Sequence, residues 1–212
     1  FLRIRDRAYI FYVLYVLTFA VAQLSLTGFS YQFIWPELPA WNQRSLAVIT
    51  PLIVVCATMF VSDFLKLQNF QPLLYRYANI LVVIGLVVAA LSAVLPYATM
   101  IPYAAALAIF TCVSILIISY YIMFKNAYKY AIYFSAAWTA FLLGSVILAM
   151  NKFGILPRTG MTESVAQIGS AIEIILLSFA LAERLHDASN RQLKAETETR
   201  RISEELIATQ QQ

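Results

Sequence analysis

Six long apolar stretches fill this chain, and the last runs without a break into a polar, helix-forming tail. A membrane-crossing helix needs about 20 mostly apolar residues. The stretches that meet this length are Ala8 to Gly28, Leu46 to Leu65, Tyr75 to Leu95, Pro102 to Phe124, Tyr130 to Met150 and Ser164 to Leu185. In the last, the apolar core ends near Ala182, a charged rod follows from Glu183 to Gln212, and neither Pro nor Gly occurs after Ser170. A helix that leaves the membrane as an unbroken rod can carry a mechanical signal across the boundary.

Composition supports a lipid environment. The chain is 61% hydrophobic and 12% charged, with a mean hydropathy of +0.74, whereas soluble domains carry roughly 25% charged residues. In lipid every backbone polar group must be satisfied internally, so helices or closed barrels are the available forms. A barrel requires polar lumen-facing positions at every second residue, and Val82 to Ala93 shows no such alternation. The first stretch is too long and too aromatic for a cleavable signal peptide, and no small-residue cleavage site follows it. Phe1 without an initiator Met suggests an excerpt of a longer polypeptide.

The basic residues set an orientation. Arg3, Arg5 and Arg7 precede the first stretch, Lys66 and Arg76 flank the second connection, and Lys125 and Lys129 flank the fourth. Arg184, Arg191, Lys194, Arg200 and Arg201 follow the last, leaving Arg44, Lys152 and Arg158 on the opposite side. Lys and Arg concentrate on the cytoplasmic side, so both ends are expected there. The net charge of +4 is small and scattered, which gives no nucleic-acid site. On the outer side, Trp35 and Trp41 with Pro36 and Pro39 read as an interfacially anchored loop or as a ligand lip. Pro96 to Ile101 reads as a tight outer turn. Tyr120, Tyr121, Tyr128, Tyr130 and Tyr133 read as an inner aromatic belt.

Glu173 is the most unusual residue. A charged carboxylate at mid-bilayer costs roughly 2.5 kcal/mol or more, so it must face the bundle, carry a proton or meet a donor. Gln167, Ser170 and Glu173, spaced by three, share one side of a helix. Thr58, Ser114, Ser135, Trp138 and Thr139 are the candidate donors at similar depth. The group reads as a polar latch between signalling states, or as a hydrogen bond that fixes packing. Small residues Gly85, Ala89, Ala90 and Ala93 suggest a close helix contact. Cys56 and Cys112 read as small apolar fillers in preference to a redox pair. With one His and no Cys/His cluster, no cofactor, metal site or catalytic set is expected. No deep Lys exists for a retinal Schiff base.

Positions 178 to 209 carry a seam in steps of three and four, including Ser178, Leu181, Leu185, Ala188, Ala195, Ile202 and Leu206, interrupted by Gln192 and Thr199. Such a seam suits a weak parallel coiled coil and a homodimer. The expected fold is an all-α polytopic bundle of six transmembrane helices, the last continuing into a cytoplasmic coiled-coil rod. Its parts are a transmembrane bundle at 1–186 and a signalling helix at 187–212.

The segments "GFSYQFIWPELPAWNQRSL", "MFVSDFLKLQNFQPLLYR" and "LPRTGMTESVAQIGSAIEIILLSFALAERL" resemble bacterial seven-transmembrane receptors with diverse intracellular signalling modules. Gln167 and Glu173 match positions of the last-helix motif. The resemblance implies a periplasmic, often carbohydrate-binding-like sensor domain before the bundle. It also implies a cytoplasmic histidine kinase, diguanylate cyclase or phosphatase after it, in the same polypeptide of the inner membrane. "FLRIRDR" is similar to the loop after the family's first helix, so that helix is expected to precede this chain. The expected function is a non-enzymatic relay module, with Gln167, Ser170, Glu173, Leu181 and Leu185 as candidate signal-transmission residues and Trp35 and Trp41 as candidate outer-loop residues. The alternatives are a small-solute transporter or channel, and a membrane anchor that only dimerises its output.

Overall fold

The computed structural model describes residues 7–126, 128–152, 155, 157 and 159–210, and every regular element among them is helical. The helices are α1 (Arg7–Leu26), α2 (Pro39–Phe64), the single turn α3 (Leu67–Phe70), α4 (Pro72–Val94), α5 (Tyr97–Asn126), α6 (Lys129–Lys152) and α7 (Gly160–Gln210). Among the described residues, α1, α2, α4, α5 and α6 are long and apolar enough to cross a membrane. The chain is therefore a multi-pass membrane protein. The expected sixth crossing, in α7, is not among those five. Side chains near the start of that stretch lie outside the described residues. Helix α7 itself is continuous over 51 residues, a length of about 75 Å at 1.5 Å per residue.

Local chemistry explains the breaks. Lys66 takes a left-handed conformation at φ 51°, ending the α2 region and starting α3. Pro72 then occupies the first turn of α4, where its missing N–H costs nothing. The outer connection after α1 is more helical than expected. Gly28 at φ 82° turns the chain into a π-helical turn at Ser30–Ile34, and α2 begins at Pro39. Pro36 and Pro39 therefore bound a helix start; the expected long loop is short.

Helix α2 is the hub, packing against α1, α3, α4 and α5, while α6 joins α5 to α7. Lipid gives helices no hydrophobic reason to associate, so close packing and hydrogen bonds must hold them. Both are present. Gly85 of α4 lies against Val55 and the Pro51 carbonyl of α2, and Leu81, Gly85 and Ala89 line this contact at spacings of four. Ala90 and Ala93, expected in the same contact, are exposed. Gly169 of α7 lies against the Ala140 carbonyl and Gly144 of α6, where an added Cβ would sit 3.2 Å from that carbonyl and 3.4 Å from the Gly144 Cα.

An aromatic ladder fills the core between α1, α2 and α6. Phe60 contacts Tyr12 at 5.3 Å and Phe64 at 5.3 Å between ring centres. Phe64 meets Phe134 at 5.5 Å, Phe134 stacks on Trp138 at 5.7 Å, and Trp138 meets Tyr15 at 6.4 Å. Such pairs add roughly 0.5–1.5 kcal/mol each beyond area burial. Cys56 and Cys112 are half-buried free thiols.

Gly169→Val should force α6 and α7 apart and cost about 1–3 kcal/mol. Gly160→Val, where nothing lies within 4 Å of an added Cβ, is the control. Reversible unfolding in mixed micelles measures both; equal stability of the two variants would refute the close contact.

Candidate functional site: a polar latch and a collar on the last helix

Glu173 is 0% exposed. Tyr15, at the middle of α1 and itself buried, donates its hydroxyl to Glu173 Oε1 at 2.9 Å. Glu173 Oε2 has no hydrogen-bond partner among the described residues. One turn away on each helix, the Tyr12 hydroxyl donates to the Ile174 carbonyl at 2.9 Å and lies 2.6 Å from Ser178 Oγ. Two tyrosines of α1, three residues apart and so on one face, thus hold one stretch of α7.

The donor expected for Glu173 is therefore corrected. Trp138 Nε1 donates to the Cys112 carbonyl at 3.0 Å, and Ser135 bonds Ser119 at 3.1 Å. Thr58 bonds the Val54 carbonyl, Ser114 pairs with Tyr77, and Thr139 bonds the Ser135 carbonyl and faces Tyr120. Sequence reasoning weighed hydroxyls and the indole and passed over Tyr15. The available signal was a tyrosine at the centre of an apolar span, away from the interface where tyrosine usually sits.

The triplet of Gln167, Ser170 and Glu173 is divided between two places. Ser170 bonds the Gln167 carbonyl at 2.8 Å, and both residues line a cleft of about 370 Å³ near the end of α1 with Gln23, Leu24, Thr27 and Phe29. Glu173 lies deeper and belongs to the latch. Trp35 and Trp41 meet edge-on at 6.2 Å, and Trp35 Nε1 donates to Asn42 Oδ1 at 3.2 Å. That contact braces the start of α2.

A second set of contacts surrounds α7 where the apolar run ends. Arg184 is buried, at 8% exposure. It donates to the Asp63 carbonyl at 3.1 Å and the Phe64 carbonyl at 3.0 Å, with its guanidinium 5.4 Å from the Phe64 ring centre. The final carbonyls at a helix end carry partial negative charge, so a cation at the end of α2 is well matched. On neighbouring turns Lys129 pairs with Glu183 at 2.5 Å, and the Tyr130 hydroxyl donates to Asp187. The collar thus ties α7 to α2 and α6. Charge counting had treated Arg184 as one more cytoplasmic cation, and its neighbours could not be read from spacing. Tyr130, expected in an aromatic belt, is buried in the collar, while Tyr121 and Tyr133 remain exposed.

Leu181 is 3% exposed and lies in the bundle core, with Leu185 packed against that core. The start of the expected dimer seam is thus used inside the protomer. Ala188 is half-buried and Ala195 exposed; the side chains of Gln192, Thr199, Ile202, Leu206 and Thr209 lie outside the described residues. No group of three or more His, Cys, Asp or Glu that could hold a metal occurs among the described residues.

A multi-pass helical bundle whose last helix is gripped at two levels and runs on as a rod has the form of a receptor's membrane part. The chain belongs to the 7TM diverse intracellular signalling family, whose model matches residues 1–184. No curated protein and no solved structure matches it.

Tyr15→Phe should leave both Glu173 oxygens without a donor and cost about 1–2 kcal/mol. In a Glu173→Leu background the same change should cost far less. A double-mutant cycle on unfolding free energies checks the coupling, and additive costs would refute the latch.

Proposed function

We propose that this chain is the transmission module of a bacterial inner-membrane receptor, with α7 as its moving part. One observation carries the reading: α7 is a single helix from Gly160 to Gln210, longer than a membrane crossing requires. In this reading α7 is the sixth crossing, both ends of the chain are cytoplasmic, and a periplasmic or membrane stimulus changes how α7 packs on α1 and α6. Two packings that differ by only a few kcal/mol give a bistable switch. The latch suits this role because Tyr15 and Tyr12 grip α7 by discrete hydrogen bonds, which release at once when α7 turns or slides.

The collar would set how the shift leaves the bundle. Arg184 holds the α2 terminus through two bonds, so a turn of α7 has to exchange them or carry α2 along. Beyond the collar the rod, pairing with a second copy from Ala188 onward, would pass the shift to a cytoplasmic output domain of the same polypeptide, a histidine kinase or a diguanylate cyclase. The module itself would do no chemistry. Leu181 and Leu185 act inside the protomer here, coupling α7 to the aromatic core, and Gln167 and Ser170 respond to the cleft near the end of α1.

Labelled ATP and GTP supplied to the full-length parent in lipid discs distinguish the outputs. Label on the protein identifies a kinase and cyclic dinucleotide a cyclase; neither product counts against both. In whichever assay responds, two residues inserted after Ser189 should rotate the downstream helix by about 200° at 100° per residue and change regulation at least several-fold. Unchanged regulation would sink the relay. Exchange of the bundle for unrelated helices with signalling kept would favour a dimerising anchor.

A further inference from the structure

The two oxygens of the buried Glu173 side chain meet different surroundings. Oε1 accepts from the Tyr15 hydroxyl at 2.9 Å. Oε2 is buried with no hydrogen-bond partner among the described residues. An ionised carboxylate is acceptor-only, with about four lone-pair sites over its two oxygens, and one neutral hydroxyl fills one of them. Buried carboxylates that keep their charge are paired with a cation or bound by several donors. Neither condition is met at Glu173 among the described residues.

The helices around it supply neutral groups. Tyr15 and Tyr12 face it from α1, and the Tyr12 hydroxyl is engaged with the Ile174 carbonyl and Ser178. From α5 the Cys112 thiol lies within electrostatic reach. Helix α6 has no titratable residue between Tyr133 and Lys152, and brings Trp138 against Tyr15. On α2 the one titratable residue between Arg44 and Asp63 is Cys56, whose thiol faces Thr18. Along α7 the neighbouring acidic residues are Glu163 and Glu183. The next cation on that helix after Glu173, Arg184, stands about 17 Å further on at 1.5 Å per residue, where it holds the α2 carbonyls.

We infer that Glu173 is a proton-binding site: Oε2 carries a proton while the latch is closed, and Oε1 is the carbonyl oxygen that accepts from Tyr15. A neutral hydroxyl without a partner costs far less than a buried charge with a single donor. When α7 turns or slides, the Tyr15 bond breaks and Glu173 reaches water. The O–H bond at Oε2 then breaks, its electron pair stays on the carboxylate, and the proton passes to water. The closed latch thus holds one proton more than the open one. Acid favours the closed form, and rising pH favours the open form. That consequence rests on the relay proposed above; the protonation of Glu173 does not.

The test is infrared difference spectroscopy of the full-length receptor in lipid discs at neutral pH. A protonated carboxyl has a C=O stretching band well separated from those of ionised carboxylates. One such band is expected in the unmodified receptor and should be lost in Glu173→Gln, whose amide oxygen can still accept from Tyr15. Tyr15→Phe should keep the band and move it to higher frequency, because a carbonyl relieved of a hydrogen bond stretches faster. That shift keeps the proposal testable where Glu173→Gln does not fold. No protonated band in the unmodified receptor, or a band that survives Glu173→Gln, would overturn the proton. A band unmoved by Tyr15→Phe would overturn its placement on Oε2. The insertion after Ser189 reads the relay separately, so a failed relay with the band present, or the reverse, tells the two apart.

Discussion

A carboxylate at the level of the middle of α1 has no water to turn to, and the arrangement around Glu173 follows from that constraint. In lipid the cost of an unsatisfied polar group is met by burial against another helix. Tyr15 supplies the donor, which places α1 beside α7 although the two are distant in the chain. Tyr12 then falls one turn along the same face and reaches the Ile174 carbonyl and Ser178. Once α1 is fixed against α7, the Tyr15 ring lands against Trp138, and the aromatic ladder continues through Phe134 to α2. The latch is thus both a polar necessity and the point from which the apolar core is registered.

The collar solves a different problem at the edge of the apolar region. The end of α2 presents carbonyls with partial negative charge, and α7 leaves the bundle there as a charged helix. Arg184 answers both needs, because one guanidinium nitrogen donates to two carbonyls while its charged group lies over the Phe64 ring. Lys129 with Glu183 is more exposed, and such pairs contribute little by themselves. Its value lies in joining α6 to the same turns of α7 that Arg184 joins to α2. Gly169 against Ala140 and Gly144 lets the backbones of α6 and α7 come close, so α7 is held along its length by backbone contact, hydrogen bonds and an ion pair in turn.

Much of this organisation could be read from residues in order. Length and apolarity located the long helices to within a few residues, with two exceptions: α2 begins at Pro39 instead of near Leu46, because the Trp35 to Asn42 contact and the turn at Gly28 make that connection helical, and α5 begins at Tyr97, so most of the expected turn from Pro96 to Ile101 is its first turn. The family was legible in the last-helix motif. Glu173 stood out by its surroundings alone. Its partner did not, because hydrogen-bond partners 158 residues apart follow from helix order and rotation, which periodicity leaves open when a helix is apolar all round. The same ambiguity put Leu181 and Leu185 in an intermolecular seam when they serve the core.

What the sequence by itself determined is the class: helices long and apolar enough for lipid, an unbroken final helix, and one acidic residue that must be satisfied inside. These are properties of single segments and their solvent. Which tyrosine meets Glu173 and which carbonyls Arg184 holds were decided only by tertiary structure. In a membrane nearly every face of every helix is apolar, so hydropathy cannot tell a lipid-facing surface from a packed one. Close approach at glycines and the pairing of a few polar groups make that choice.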